Sequence, residues 1–168
     1  MPERRYVGGD PEYVPGRGHH FELGVYAELP MQVRPTLDWT LEGWFIWSSG
    51  KGPLIAAEEE DWSWGWLYED DGTCVYRIGG VMRQAGVDLA SVRGPRLYIA
   101  VAKAGNEAVL WINDDAVDRW TDAPPTTLSD AVVMKFADGF AENFGYYDRR
   151  LADDELASHW DAGNPRLR

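Results

Sequence analysis

The sequence has 168 residues and a formal net charge of −12, which is enough chain for one domain around a single core. The excess of acidic side chains argues against a nucleic-acid partner, because phosphate binding needs clustered lysine and arginine, and it opposes attachment to an anionic membrane. No run of about 18 apolar residues occurs, so no transmembrane helix is expected.

The first segment, residues 1–20, is rich in glycine and proline. Both residue types lower the tendency to form regular structure, so the segment is predicted to be an extended arm. The residues after Arg4 and Arg5 do not form an apolar stretch, and no secretory signal is therefore expected. The folded domain is predicted to span residues 21–168.

Alternation of apolar and polar residues predicts most of that domain to be strands. Residues 21–29 alternate as a half-buried strand before Pro30, and residues 37–47 alternate as a longer one. Further strands are predicted at 52–57, 62–69, 73–79, 96–103, 106–113, 116–120, 131–137 and 140–148. Short connections rich in glycine, aspartate, asparagine and proline separate them. This pattern predicts an antiparallel two-sheet sandwich or jelly roll.

A short helix is predicted over residues 152–161. Leu151 and Leu156 are spaced to fix its start, and the acidic residues 153–155 place negative charge where the first backbone N–H groups lack partners. We expect this helix to close one end of the sandwich by burying both leucines and Trp160.

Several of these segments follow a known family pattern. Residues 41–45 read L-E-G-W-F, residues 96–102 read R-L-Y-I-A-V-A, and residues 147–151 read Y-D-R-R-L. Their order and spacing, over residues 21–163, resemble the laminin G-like jelly roll of the concanavalin A-like lectin and glucanase superfamily. The resemblance implies an all-β fold, with two antiparallel sheets and a short C-terminal helix, and a lectin-like function.

The sequence does not predict an enzyme. Glucanases of this superfamily carry their carboxylates in an alternating E-x-D-x-x-E segment, since nucleophile and acid must face one cleft. The acidic run at 58–61 is contiguous, so its side chains would point to opposite faces of a strand. Neither the adjacent His19 and His20 nor His159 has a serine or cysteine partner at a catalytic spacing.

Calcium is a weaker expectation that follows from the resemblance, because some members of the family bind it. Hard cations need several converging oxygens, and the candidates here are Asp70, Asp71, Glu142 and Asn143. Charged pairs in turns are usually only solvated, so the sequence predicts no cofactor and leaves calcium open.

Aromatic residues are the main candidates for ligand binding. Alternation over residues 62–68 places Trp62 and Trp64 on one face of a strand, where sugar rings would stack. The alternative is that this face belongs to the core, because large aromatics dominate core burial. Trp62 lies next to Asp61 in the acidic loop and is the better candidate for an exposed platform. Trp120, before a polar stretch, is a second candidate.

These features favour a non-catalytic structural or recognition protein. The preferred hypothesis is a phage virion component, either capsid decoration or tail, whose partners are neighbouring virion subunits and, as a further role, host-surface glycans. The alternatives are a stand-alone cytoplasmic carbohydrate-binding protein and a non-catalytic accessory subunit of an enzyme complex. Localisation is accordingly expected to be the virion or the cytoplasm, and self-association into a homo-oligomer is left open.

Overall fold

The computed structural model describes the fold over a defined set of residues: 5–7, 12–14, 18–22, 26–29, 38–47, 54–56, 65–68, 73–88, 96–125, 132–135 and 138–163. These residues form strands followed by one helix. In chain order the elements are β1 (Arg5–Val7), β2 (Glu12–Val14), β3 (Gly18–Glu22), β4 (Tyr26–Leu29), β5 (Trp39–Trp47), β6 (Leu54–Ala56), β7 (Gly65–Tyr68), β8 (Thr73–Ile78), β9 (Val81–Asp88), β10 (Leu97–Ala104), β11 (Glu107–Ile112), β12 (Asp115–Trp120), β13 (Val132–Lys135), β14 (Asp138–Tyr147) and α1 (Asp153–Gly163).

The strands form two antiparallel sheets. The first has the order β1-β4-β13-β6-β7-β8-β9 and the second the order β12-β11-β10-β5-β14-β3-β2. Every strand pair in the described residues is antiparallel. The prediction of an all-β sandwich with a short C-terminal helix is therefore confirmed.

The core is built from alternate residues of the strands. On β5, Leu41 and Phe45 are buried in an apolar cluster that also contains Ile99 of β10, Leu110 of β11 and Tyr76 of β8. Because β8 belongs to the first sheet and the other strands to the second, this cluster joins the sheets. Alternate residues of β5 thus face the interior, as the period-two geometry of a strand requires.

The interior also holds Cys74, the single cysteine of the sequence. Its side chain is fully buried on β8, and burial raises the pKa of the thiol to about 12. The residue therefore packs as a small apolar side chain.

The N-terminal segment differs from the predicted arm. β1 pairs with β4 in the first sheet, while β2 pairs with β3 and β3 pairs with β14 in the second. β1 and β2 each lie at one edge of a sheet, pair on one side only, and have three residues each. Aromatic and β-branched residues such as Tyr6, Val7, Tyr13 and Val14 favour strand structure between the glycines and prolines.

The helix α1 lies on the outer face of the second sheet and does not close an end of the sandwich. Leu151 and Leu156 are fully buried there in a cluster with Trp44, as predicted, whereas Trp160 is only half-buried. Thr40 of β5 fixes the start of the helix, since its hydroxyl accepts a 2.8 Å hydrogen bond from the Leu151 N–H. No helix in the described part of the chain is long and apolar enough to cross a membrane.

Candidate functional site

The outer face of the second sheet carries an acidic residue in an otherwise apolar layer. Glu42 lies on β5 between buried Thr40 and Trp44 on the same face, and its side chain points away from the interior cluster. Gly145 of β14 is its neighbour on one side, and a Cβ at that position would lie 3.4 Å from the Glu42 Cγ. Two atoms of Tyr147 would lie closer still, at 3.2 and 3.3 Å, so the glycine leaves room for the tyrosine ring beside Glu42.

Glu42 is only 7% exposed, and three side chains donate hydrogen bonds to it. The donors are the hydroxyl of Tyr98, the hydroxyl of Tyr147 at 2.9 Å, and Nδ1 of His159 at 2.9 Å from the nearer oxygen. We call these four residues the Glu42 cluster. Hydrogen bonds to an ionised acceptor are stronger than neutral ones, so the cluster ties α1 to β5, β10 and β14.

The tyrosines of the cluster keep their protons. Burial raises the pKa of Tyr98, and its hydrogen bond to Glu42 raises it further. The same two causes raise the pKa of Tyr147 to about 12. Both hydroxyls therefore remain donors to the carboxylate over the whole physiological range of pH.

The carboxylate also orients the histidine. Nδ1 of His159 lies 3.0 and 2.9 Å from the two oxygens of Glu42, and this contact fixes the direction of the imidazole ring. The histidine side chain is 38% exposed, in contrast to Glu42. The cluster thus holds the imidazole at Nδ1, while part of the side chain is exposed to solvent.

An aromatic and charged group adjoins the Glu42 cluster at the end of α1. The Arg96 guanidinium lies 4.3 Å from the centre of the Trp44 ring and forms an ion pair with Glu142. Its NH1 donates a 2.6 Å hydrogen bond to the carbonyl of Gly163. The Trp160 ring stacks on the Trp44 ring, with ring centres 5.1 Å apart and planes inclined by 16°.

A second polar cluster joins the edges of the two sheets. Asp118 of β12 accepts hydrogen bonds from the Tyr76 hydroxyl at 2.7 Å and from Arg83 at 2.6 and 3.1 Å. Burial acts to raise the pKa of Asp118, but the hydrogen bonds from Arg83 and Tyr76 outweigh it and the pKa is lowered. Tyr76 and Arg83 belong to the first sheet, so this carboxylate fastens β12 to β8 and β9.

Trp120 belongs to this second cluster and is not an exposed platform. It is 6% exposed, its ring meets Tyr76 edge-on with centres 6.0 Å apart, and Arg83 lies 5.5 Å from its centre. The polar stretch that follows Trp120 does not decide its exposure, because the ring turns inward towards the opposite sheet. The expectation that Trp120 offers a free ring face is therefore wrong.

The other sequence-based candidates divide into two groups. Asp61, Trp62, Trp64, Asp70 and Asp71 lie outside the described residues, so their roles remain predictions.

Glu142 and Asn143, the remaining calcium candidates, are described. Glu142 forms its ion pair with Arg96, and Asn143 is exposed with a left-handed φ of 47° where the pairing of β14 with β5 shifts register. Within the described residues, no group of three or more His, Cys, Asp or Glu side chains converges as a metal site would require. Calcium binding at this position remains a prediction.

Sequence reasoning missed the Glu42 cluster altogether. Its members lie on three strands and a helix, and Glu42 and His159 are 117 residues apart. One signal was present: an acidic residue at a predicted outward position of the long central strand, flanked on the same face by Trp44. A charge in such a place needs partners, because burial without them is costly.

Comparison with known proteins finds likeness in structure only. No family model matches the sequence, and no curated protein matches it. The receptor-binding domain of botulinum neurotoxin mosaic serotype C/D is similar with a TM-score of 0.79 and 11% identity, over 98% of this chain and 46% of that chain. A botulinum neurotoxin type C structure, from work on cell entry through two ganglioside molecules, has a TM-score of 0.76 and 10% identity, over 95% and 46%.

A mutant Trypanosoma rangeli sialidase displaying trans-sialidase activity is also similar, with a TM-score of 0.66 and 16% identity, over 94% of this chain and 29% of that chain. At these identities the likeness shows the fold alone. The chain spans about half the length of the botulinum domains and less of the sialidase. The β-sandwich implied by the laminin G-like resemblance is present, whereas membership of that family is not shown.

Proposed function

We propose that this chain is a non-catalytic recognition domain that binds glycans. The observation that carries the proposal is the likeness over 98% of the chain to a receptor-binding domain of a toxin. Cell entry of botulinum neurotoxin type C, one such neighbour, depends on interaction with two ganglioside molecules, and another neighbour is in complex with SialylT. These ligands belong to the neighbours, and they support a glycan as the class of ligand to test here.

A more specific form of the proposal is a phage virion component, in the capsid decoration or the tail, that contacts host-surface glycans. A single aromatic stacking contact is worth only about 0.5–1.5 kcal/mol, so one copy would bind a sugar weakly. Many copies on a particle would compensate through effective concentration. A stand-alone cytoplasmic carbohydrate-binding protein and an accessory subunit of an enzyme complex remain the alternatives.

The test is a glycan array probed with the purified chain in a multivalent display. Binding to a defined set of glycans would support recognition, and a silent array would reject it. Parallel samples with a chelator test the calcium prediction. Incubation of bound glycans with the chain, followed by analysis of the products, tests for hydrolysis, the activity that the sialidase neighbour raises.

The virion assignment needs a separate measurement. An antibody against the chain should label intact phage particles from a host that carries its gene, and particle proteomics should detect it at a fixed ratio to a capsid or tail protein. Detection only in the host cytosol would favour the cytoplasmic alternative.

A further inference from the structure

We propose that strand β9 is the interface of a homodimer, in which it pairs antiparallel with β9 of a second copy and the two-fold axis passes beside Met82. Such a dimer needs no glycan, so it is independent of the proposed function.

Of the edge strands in the two described sheets, β9 is the long and regular one. β1 and β2 have three residues each, and β12 carries Asp115, Asp118 and Arg119 and pairs with a shift in register. Short length, charge and bulges all protect an edge from pairing with another chain. β9 has eight residues, and from Val81 to Ala85 it pairs with β8 without a shift. It is therefore the edge that another strand can extend.

The outer side of β9 offers backbone groups for pairing. The two-residue turn Gly79–Gly80 joins β8 to β9, and in such a hairpin the flanking residues Ile78 and Val81 exchange hydrogen bonds. Hydrogen-bonded pairs alternate along an antiparallel ladder, so the N–H and C=O groups of Met82 and Gln84 point away from β8. These are the groups that a further strand binds.

Exposed apolar side chains accompany these backbone groups. Among the described residues, the large apolar side chains that are exposed are Val81, at 49%, and Met82, at 57%. Both lie on β9 next to the turn, and Gln84 beyond them is exposed and neutral. Pairing with another strand removes such side chains from water, so their place on an edge marks it as a site of association.

The charge on β9 does not block the edge. Arg83 is the only charged residue in the sequence from 81 to 87. Its guanidinium lies 2.6 Å from Asp118 and donates a 3.4 Å hydrogen bond to the Arg119 carbonyl oxygen. The side chain is thus directed across to β12 and is not turned outwards along the free edge.

The edge is held in place before any partner binds. A Cβ at Gly79 would lie 2.4 Å from the Pro125 carbonyl oxygen and 2.9 Å from the Pro124 ring, so the turn packs closely on this segment. Asp118 holds the middle of the strand through Arg83, at 2.6 and 3.1 Å. A strand that is fixed at both points loses little conformational freedom when it pairs, which favours association.

A second copy is the occupant that fits this edge. An added strand must bring an open edge of its own, and the chain supplies one in β9 itself. Pairing about a two-fold axis at Met82 places Met82 opposite Met82 and Arg83 opposite Val81, so the apolar side chains meet and the arginines do not.

Net charge sets the salt dependence of this dimer. The formal charge of −12 on each copy opposes association, but repulsion between charges outside the contact is largely screened at physiological salt. Salt should therefore strengthen the dimer, which is the reverse of its effect on an interface made of ion pairs.

Sedimentation equilibrium of the full chain tests the dimer. The wild-type chain should show a reversible monomer–dimer equilibrium, with a lower Kd in about 0.5 M than in about 0.05 M sodium chloride. Met82→Lys should raise the Kd by about tenfold or more, since each copy loses the burial of an apolar side chain and places a charge on the edge.

Ser158→Lys is the matched control, because it adds the same charge at an exposed position of α1, and its Kd should not rise. Thermal melting confirms that each variant is folded. If Met82→Lys melts early, Gln84→Lys at the next outward position takes its place.

Cysteine cross-linking tests the position of the axis. Residues opposite each other in a hydrogen-bonded antiparallel pair have Cα atoms about 5.5 Å apart, within the range of a disulfide. Met82→Cys should therefore form a covalent dimer under mild oxidation, whereas Ser158→Cys should not. Cys74 stays out of this reaction because it is buried and its thiol pKa is raised to about 12.

Any of the following results would overturn the proposal. A wild-type chain that stays monomeric at high concentration in both salts excludes the dimer. A dimer that Met82→Lys leaves unchanged has its interface elsewhere, and a dimer that Met82→Cys does not cross-link lacks the axis at Met82. A monomeric chain that binds the peptide Lys-Val-Lys-Val-Lys-Val at low salt, and loses it in Met82→Lys, assigns the edge to a basic strand of another protein.

Discussion

Replacement of Glu42 by glutamine is expected to destabilise the fold by about 3–5 kcal/mol. The carboxylate accepts hydrogen bonds from Tyr98, Tyr147 and His159 in a buried place. The amide nitrogen of glutamine cannot accept, so at least one buried donor loses its partner at a cost of about 1–3 kcal/mol. The remaining bonds change from charged to neutral and lose about 1 kcal/mol each. The melting temperature should fall by about 6–20 °C.

Urea unfolding followed by tryptophan fluorescence measures this loss, and Glu107→Gln is the matched control. The Glu107 side chain is 62% exposed and lies 3.3 Å from Arg150, a surface ion pair worth about 0–1 kcal/mol. If Glu42→Gln costs no more than Glu107→Gln, the Glu42 cluster does not hold α1 on the sheet, and the reasoning about its hydrogen bonds is refuted.

Further predictions concern the second cluster, alkaline pH and the N-terminal strands. Trp120→Ala should cost about 3–5 kcal/mol in urea unfolding because the ring is buried, and a fully stable variant would contradict that burial. Stability should fall as pH rises from 10 towards 12, since the unfolded state loses the Tyr147 proton first and the folded pKa is about 12. Tyr147→Phe should flatten that fall. Deletion of residues 2–14 should lower the melting temperature because β1 and β2 pair in the sheets, whereas an unchanged value would restore the predicted arm.

The strands of the domain were predictable where alternation was clear. β5, β10 and β11 each place large apolar residues at every second position, and the sheets confirm them. β9 was not predicted, since Val81–Asp88 mixes exposed apolar and polar residues without a regular period. Its place follows from the turn before it, where Gly79 and Gly80 take φ values of 56° and 77°, as a tight hairpin requires.

The candidate site was much less predictable than the fold. Glu42 and His159 are in contact only because α1 packs on the outer face of the second sheet. No local sequence pattern predicts which strand residue the helix covers. Trp120 shows the same difficulty in reverse. Its neighbours in sequence are polar, but its exposure is set by Tyr76 and Arg83 of the other sheet.

The single buried thiol provides an intrinsic probe of local opening of the fold. Cys74 has no exposed surface, and its pKa of about 12 keeps it from forming the reactive thiolate near neutral pH. An alkylating reagent can therefore modify it only in the moments when β8 separates from its neighbours. When reclosing is faster than alkylation, the ratio of this rate to the rate for an unfolded cysteine gives the free energy of the opening, at one known position and without any introduced probe.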